Sequence, residues 1–305
     1  MHSDEMIINI YKGIRPKIKA QFEKRFPLIY EKCIKQIAAM VADRKRAPEV
    51  RACIEKIAAI KPFPLFSLVE IETINRCNNT CTFCPVNRNA DTRPFRLMDR
   101  RLFISIMEQL RELGYAGKVG LFSNNEPLLD DRISEFAEIT RKYLPGAFIS
   151  ILTNGLLLTV EKLNTLMKYI DELAIDNYED NLELVEPVRE IRDYCIKNKV
   201  YRDKIKIWLR RKDEVLTNRA GQARNRSKIR RPLRSSCSYP FMQLVVRPDG
   251  KVSLCCNDAL GQMTMGDLTA EKIIDVWHGE RFRHVRECLL KGRRFVSLCG
   301  SCDNG

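Results

Sequence analysis

Three closely spaced cysteines, Cys77, Cys81 and Cys84, stand in the string RCNNTCTFCP, directly after an apolar strand-like run, FSLVEIETI. Their spacing is CxxxCxxC. Zinc sites pair one CxxC with a second or with histidines, and only three histidines occur in the chain. Three thiolates in one short loop suit a [4Fe–4S] cluster that leaves one iron without a protein ligand. Such an iron is free to bind a cofactor or substrate directly.

A second set is Cys237, Cys255, Cys299 and Cys302, spaced Cys-x17-Cys-x43-Cys-x2-Cys. Four thiolates satisfy either zinc or a complete [4Fe–4S] cluster, and spacing alone does not separate the two metals. Cys256 is left over beside Cys255; it packs, or it is the true ligand in place of its neighbour. Cys33, Cys53, Cys195 and Cys288 have no close cysteine partner and read as small packing residues.

With Phe83 just before the third cysteine, the first string resembles the signature of the radical S-adenosylmethionine (SAM) superfamily. That resemblance implies that the open iron chelates SAM and that one electron from the cluster cleaves it to a 5′-deoxyadenosyl radical. It also implies an external one-electron reductant of the flavodoxin or ferredoxin type. The second set resembles the C-terminal SPASM/twitch domains of the superfamily in a shortened form with a single auxiliary cluster, because the chain ends three residues after Cys302. In that company iron is the expected metal, giving two [4Fe–4S] clusters in all. The spacing is similar to that of aminocyclitol dehydrogenases. A thiol at Cys256 also resembles the hydrogen-atom donors of aminoglycoside epimerases.

The resemblance places the other SAM contacts by position. Where the family carries Gly-Gly-Glu, this chain has Ser123-Asn124-Asn125-Glu126-Pro127. The glycines are replaced, but Glu126 keeps an acceptor for an ammonium group, with Asn125 beside it. Thr153 and Asn154 end the third strand, in reach of ribose hydroxyls. Asp176 ends the fourth and faces substrate. Arg210 and Arg219 offer forks suited to a carboxylate or phosphate.

These residues need a scaffold, and the sequence reads as α/β. Residues 1–62 read as a helical N-terminal extension, with Pro62 and Pro64 interrupting the pattern. Residues 63–235 alternate strands (FSLVEIET, KVGLFS, AFISILT, ELAID, KIKIWL) with helices. Asp99 reads as the N-cap of RRLFISIMEQLREL, and Gly114 as its stop. Repeated βα units give a parallel sheet, here a partial (β/α)6 TIM-like barrel, with ligands at the C-terminal strand ends. Residues 236–305 read as a small twitch/SPASM-like domain: a hairpin around Pro248-Asp249-Gly250, then one helix, AEKIIDVWHGERFRHVRECLLKG.

Charge and composition narrow the function. Net charge is +14, and Lys197–Arg234 holds fifteen Lys or Arg against Asp203, Asp213 and Glu214, or +12. Such a stretch is a solvated face or a site for an anionic ligand. No RNA-binding signature accompanies it, so nucleic acid is not the expected partner. No secretory signal or run of about 18 apolar residues is present, which makes the expected location cytoplasmic with reduced thiolates.

The expectation is a radical SAM oxidoreductase. It removes hydrogen from a carbinol carbon of a sugar, aminocyclitol or nucleotide-linked carbohydrate and forms a ketone, the auxiliary cluster accepting the second electron. The alternatives are an epimerase using Cys256, a peptide-modifying enzyme, and a zinc protein binding nucleic acid.

Overall fold

The computed structural model describes residues 9–12, 36–226, 228–229 and 231–304. Among the described residues nine strands form one sheet in the order β1-β6-β5-β4-β3-β2-β7-β8-β9. These are β1 (Asn9–Lys12), β2 (Leu68–Ile71), β3 (Lys118–Gly120), β4 (Phe148–Thr153), β5 (Glu172–Tyr178), β6 (Ile205–Arg210), β7 (Gln243–Val246), β8 (Lys251–Ser253) and β9 (Thr264–Asp267). Strands β1 to β7 pair in parallel, while β8 adds antiparallel to β7 and β9 antiparallel to β8. The sheet is open, a partial barrel with unjoined edges.

Helix α1 (Gln36–Ala59) precedes β2. Helices α2 (Arg100–Glu112), α3 (Ile133–Tyr143), α4 (Val160–Leu166) and α5 (Glu186–Asn198) are the crossovers between successive strands. Their apolar stripes cover one face of the sheet. On α2 the stripe is Phe103, Ile106, Met107 and Leu110, all fully buried. Each such side chain contributes about 1.5–3 kcal/mol relative to exposure. Asp99 caps α2 as expected, accepting from the backbone N–H of Arg101 and Leu102. Gly114 ends it in the left-handed region at φ +62°, a conformation that glycine adopts without a Cβ penalty.

The strands alternate in burial. Ile149 and Ile151, Leu173 and Ile175, Ile205 and Ile207 lie buried against the helices. Their neighbours Leu152, Ala174, Asp176, Trp208 and Arg210 are half-buried on the opposite face. A parallel sheet is ordinarily covered on both faces. Here the second face is an open lumen, where ligands belong.

Three expectations change. Residues 1–60 are not helical throughout: Asn9–Lys12 is an edge strand paired with β6, favoured by the Ile and Tyr in NIYK. Cys33 lies outside the described residues. The long C-terminal helix is two, α7 (Ile273–His278) and α8 (Glu280–Lys291), broken at Gly279. A Cβ there would stand 2.6 Å from the Asp275 carbonyl oxygen, so only glycine permits the close turn. Helix α5 starts at Glu186, later than its apolar pattern, because Pro187 belongs in a first turn.

Short helices α6 (Tyr239–Met242) and α9 (Ser297–Gly300) complete the chain. The sheet runs without interruption across residue 235, since β7 pairs along β2 from Leu68–Gln243 to Ile71–Val246. Asp43 of α1 locks the same junction: it accepts from the backbone N–H of Arg234 at 2.7 Å and Ser235 at 2.9 Å, and from the Ser235 hydroxyl.

Candidate active site

The loop carrying Cys77, Cys81 and Cys84 leaves the C-terminal end of β2 and is fixed from several sides. The Asn87 side-chain amide donates to the carbonyls of Cys81 (2.9 Å) and Cys84 (2.8 Å). The Thr82 backbone N–H donates to the Lys212 carbonyl beyond β6. Asn154, after β4, donates to Asn78 Oδ1 at 2.7 Å and sits 3.9 Å from Cys77 Sγ. The three cysteines line one cavity of about 660 Å³, counted to its open mouth. Burial, with Glu126 and Cys84 adding, pushes the Cys77 thiol up to about 12, and burial beside the other two thiols pushes Cys81 further. A metal must therefore displace protons from these thiols when it binds.

The same cavity gathers Phe83, Asn125, Glu126, Thr153, Asn154, Asp176 and Arg219 from five separate loops and strand ends. Of the sixteen residues singled out from the sequence, these join the first three cysteines in one place. Their local roles differ. Glu126 is buried and accepts from Leu128 N–H (3.0 Å), Thr153 Oγ1 (2.6 Å) and Asn154 N–H (2.7 Å). It ties the loop after β3 to the end of β4 and keeps room for one further donor. Thr153 gives its proton to Glu126 and accepts from Gly155 N–H, so it is mainly a strut. Asn125 Nδ2 is buried with no hydrogen-bond partner. An orphaned amide at the wall of a polar cavity is poised for an acceptor on a bound molecule.

Arg210 is displaced from its expected place. It does not line the cavity; its Nε donates to Asp176 Oδ1 at 3.0 Å, and Tyr178 Oη donates to Asp176 Oδ2 at 3.0 Å. Tyr178 packs its ring 5.5 Å from that of Phe83 and lines the cavity. It went unnoticed in the sequence, although its place two residues after Asp176 on one strand puts both on the same face.

Arg219 reaches the cavity from a strained turn. Arg219, Ala220 and Gly221 are all left-handed, at φ 48°, 55° and 83°. Such residues cost of order 1–3 kcal/mol each unless glycine, and cluster at functional sites. The turn is held by Asn218, fully buried, whose amide donates to the Ser301 carbonyl (2.7 Å) and whose backbone N–H donates to Asp303 Oδ1 (2.7 Å).

The second cysteine set also converges. Burial raises the Cys255 thiol well up, with Cys256, Cys237, Cys299 and Cys302 all adding to it. Arg293, 1% exposed, clamps the segments on both sides: its guanidinium donates to the carbonyls of Ser235 (2.8 Å), Ser236 (3.0 Å) and Asn304 (2.6 Å). Its charge opposes the burial that raises the Cys299 and Cys302 thiols. Among the described residues no three side chains converge on a point where one ion would sit. A cubane takes one thiolate per iron, so its ligands need not meet at one point. The donor set is all soft sulfur in both places, which fits iron–sulfur clusters.

Cys256 has a different set of main neighbours. After burial, its strongest electrostatic neighbours are Glu70 and Arg219, and its thiol is pushed up to about 12. Its carbonyl accepts from Asn124 Nδ2 at 2.9 Å. Cys237, Cys299 and Cys302 all act on the Cys255 thiol, whereas Cys256 has Cys237 alone of these among its main neighbours.

Five described cations of the basic stretch are held in ion pairs. Arg210 pairs with Asp176, Arg211 with Asp213 (3.0 Å), Lys212 with Glu179 (3.4 Å), Lys206 with Glu172 and Arg226 with Asp303. From the whole stretch Arg219 alone, among the described residues, lines the cavity. Among the described residues no helix is long and apolar enough to cross a membrane.

Comparison with known proteins agrees with this geometry. The model of the radical SAM superfamily matches residues 71–211, and that of the SPASM iron–sulfur cluster-binding domain matches residues 237–303. The S-adenosyl-L-methionine-dependent 2-deoxy-scyllo-inosamine dehydrogenase of Niallia circulans is 33% identical over 244 residues, covering 79% of this chain and 94% of the relative. The crystal structure of BtrN in complex with AdoMet and 2-DOIA superposes with a TM-score of 0.67 at 32% identity, over 79% of this chain and 94% of that one. SuiB of Streptococcus suis, bound to its precursor peptide SuiA, shares the fold with a TM-score of 0.50 at 13% identity, over 86% of this chain and 75% of that one. The chain belongs to the radical SAM superfamily, and it is a radical SAM enzyme whose cofactors are SAM and iron–sulfur clusters.

Proposed function

We propose that the protein is a dehydrogenase that oxidises a secondary alcohol of a small polyhydroxylated substrate, an aminocyclitol or a similar sugar, to a ketone. The observation that carries this reading is the 33% identity, across 79% of the chain, to an enzyme named for that reaction on 2-deoxy-scyllo-inosamine. The cavity supports it. Its walls are rich in neutral hydrogen-bonding groups, Asn79, Asn87, Ser123, Asn124 and Asn125, with Arg219 as the single cation among the lining residues. Amides and hydroxyls match the hydroxyls of a polyol. Of the 197–234 stretch Arg219 alone, among the described residues, lines the cavity, which argues against an anionic substrate held there by the stretch as a whole.

On this reading Cys77, Cys81 and Cys84 hold the [4Fe–4S] cluster that binds SAM, and Cys237, Cys255, Cys299 and Cys302 hold a second. Together the first cluster and SAM supply a hydrogen-atom abstractor. Asn125 and Glu126 hold the polar end of SAM, and Phe83 and Tyr178 wall its binding site. Arg219 orients a substrate hydroxyl between the two sites. Residues 63–235 serve as the catalytic unit and 236–305 as the auxiliary-cluster unit. A one-electron carrier of the flavodoxin or ferredoxin type supplies the reducing equivalent. No disulfide joins the eleven described cysteines, which suits a reducing compartment such as the cytoplasm.

A second reading, epimerisation, rests on Cys256, whose thiol has Glu70 and Arg219 as its strongest charged neighbours. The test is product analysis. Anaerobically reconstituted protein, given SAM, dithionite and 2-deoxy-scyllo-inosamine, should form one ketone per 5′-deoxyadenosine. Recovery of an inverted alcohol would instead establish the epimerase.

A further inference from the structure

Oxidation of an alcohol releases a proton as well as a hydrogen atom and an electron, and the proton needs an acceptor. Glu70 lies on β2 between Val69 and Ile71, which face the helices, so it points into the lumen. It is buried, 6% exposed. Its Oε2 accepts from Ser123 Oγ at 2.6 Å and its Oε1 accepts from Gln243 Nε2 at 2.8 Å. Ser123 lines the SAM cavity. A serine hydroxyl has one proton to give and two lone pairs to share. Here the proton goes to Glu70 and one lone pair takes Asn124 Nδ2 at 3.3 Å. One lone pair remains for a hydroxyl of a molecule in the cavity.

The other carboxylates around the cavity are committed. Glu72 is paired with Arg93 (3.2 Å) and accepts from Asn124 N–H (2.7 Å). Glu126 accepts three bonds, and Asp176 is held by Arg210 and Tyr178. Glu70 has two neutral donors and no ion pair. Burial pushes its carboxyl up to about 7; Ser123, Arg219 and Gln243 draw it down, and Glu72 on the same strand adds to the rise. Cys256 also faces it, from the end of β8. A carboxylate near neutrality is suited to take a proton and return it to solvent. Arg219 cannot, because its guanidinium stays charged.

We propose that Ser123 and Glu70 form a proton relay that accepts the hydroxyl proton of the substrate as its carbinol carbon is oxidised. This rests on the dehydrogenase reading. The C–H bond breaks by hydrogen-atom abstraction. The remaining O–H bond then breaks: its proton passes to Ser123 Oγ while the serine's own proton moves to Glu70 Oε2. The C=O bond forms and one electron leaves to an iron–sulfur cluster, the oxidant assigned to the four-cysteine site. Glu70 ends as the neutral acid and Ser123 is regenerated.

The test uses the fully reconstituted protein with SAM and, as probe, 2-deoxy-scyllo-inosamine deuterated at the oxidised carbon. Deuterium in 5′-deoxyadenosine reports abstraction, and ketone per deuterated 5′-deoxyadenosine reports the loss of the proton and electron. In the wild type that ratio should rise with pH through about 7, because below it Glu70 already carries its proton. Glu70→Gln and Ser123→Ala should still abstract, with the ratio lowered at least ~100-fold, the usual size of a general-base contribution, and with the pH dependence gone. Ser123→Thr should restore it. Full ketone yield and an unchanged pH profile in Glu70→Gln would overturn the relay and leave the dehydrogenase intact. No deuterium transfer in the wild type would count against the reading for this alcohol. The relay is then judged by infrared difference spectra of the holo-protein without substrate. A carboxylic-acid band should appear as pH falls through neutrality, vanish in Glu70→Gln and shift in Ser123→Ala; its absence from the wild type refutes the relay.

Discussion

Replacing Arg293 by methionine should empty the auxiliary-cluster site while leaving the SAM-binding cluster in place. Arg293 is buried and bonds three backbone carbonyls that flank Cys237 and Cys302. Hydrogen bonds from a charged donor contribute about 1.5–3 kcal/mol each, so their sum is about 4.5–9 kcal/mol. Methionine recovers part of this, because the guanidinium no longer has to be taken out of water. The net loss should be about 3 kcal/mol. At roughly 2–4 °C per kcal/mol, that lowers Tm by about 6–12 °C. The charge that favours thiolates at Cys299 and Cys302 is lost as well. Iron and sulfide analysis of anaerobically purified protein is the assay, alongside calorimetry. The variant should hold about four irons per chain, against about eight in the wild type, as expected for loss of one cubane. It should still cleave SAM without product formation. Eight irons and an unshifted Tm would refute the clamp.

Replacing Cys77, Cys81 and Cys84 together by alanine should abolish SAM cleavage yet keep about four irons per chain, one remaining cubane, measured by 5′-deoxyadenosine release and iron analysis. Cys256→Ala should still make ketone, since the proposed cluster takes Cys255 and not Cys256; loss of a solvent-derived deuterium from the product in deuterium oxide would show that the thiol donates hydrogen. Asp43→Ala removes the acceptor of three bonds at the junction of α1 with residues 234 and 235. It should cost about 2–4 kcal/mol, seen as a lower denaturation midpoint with the iron content of the folded protein unchanged.

The features legible in the sequence were local. CxxxCxxC lies within eight residues, and Asp99 caps a helix that starts at the next residue. The strand–helix rhythm is carried by period-2 and period-3.6 patterns that each element bears alone. The hidden features depend on pairing between distant segments. Gln243 meets Glu70 across 173 residues, and Ser235 meets Asp43 across 192. No pattern within either segment encodes those contacts. Arg210 looked free because its partner, Asp176, sits on the neighbouring strand. Cys255 and Cys256 are equivalent by position in the chain and differ only in the neighbours the fold gives them. Part of the basic stretch is likewise paired only in the fold, by carboxylates brought in from β5, the residue after it and the C-terminal tail.

The fate of one hydrogen decides the dehydrogenase assignment most directly. The reconstituted enzyme is incubated with SAM, a one-electron reductant and 2-deoxy-scyllo-inosamine deuterated at the carbon to be oxidised. One deuterium in each 5′-deoxyadenosine and an equal amount of ketone are expected. Unlabelled 5′-deoxyadenosine with the alcohol returned unchanged would contradict the assignment.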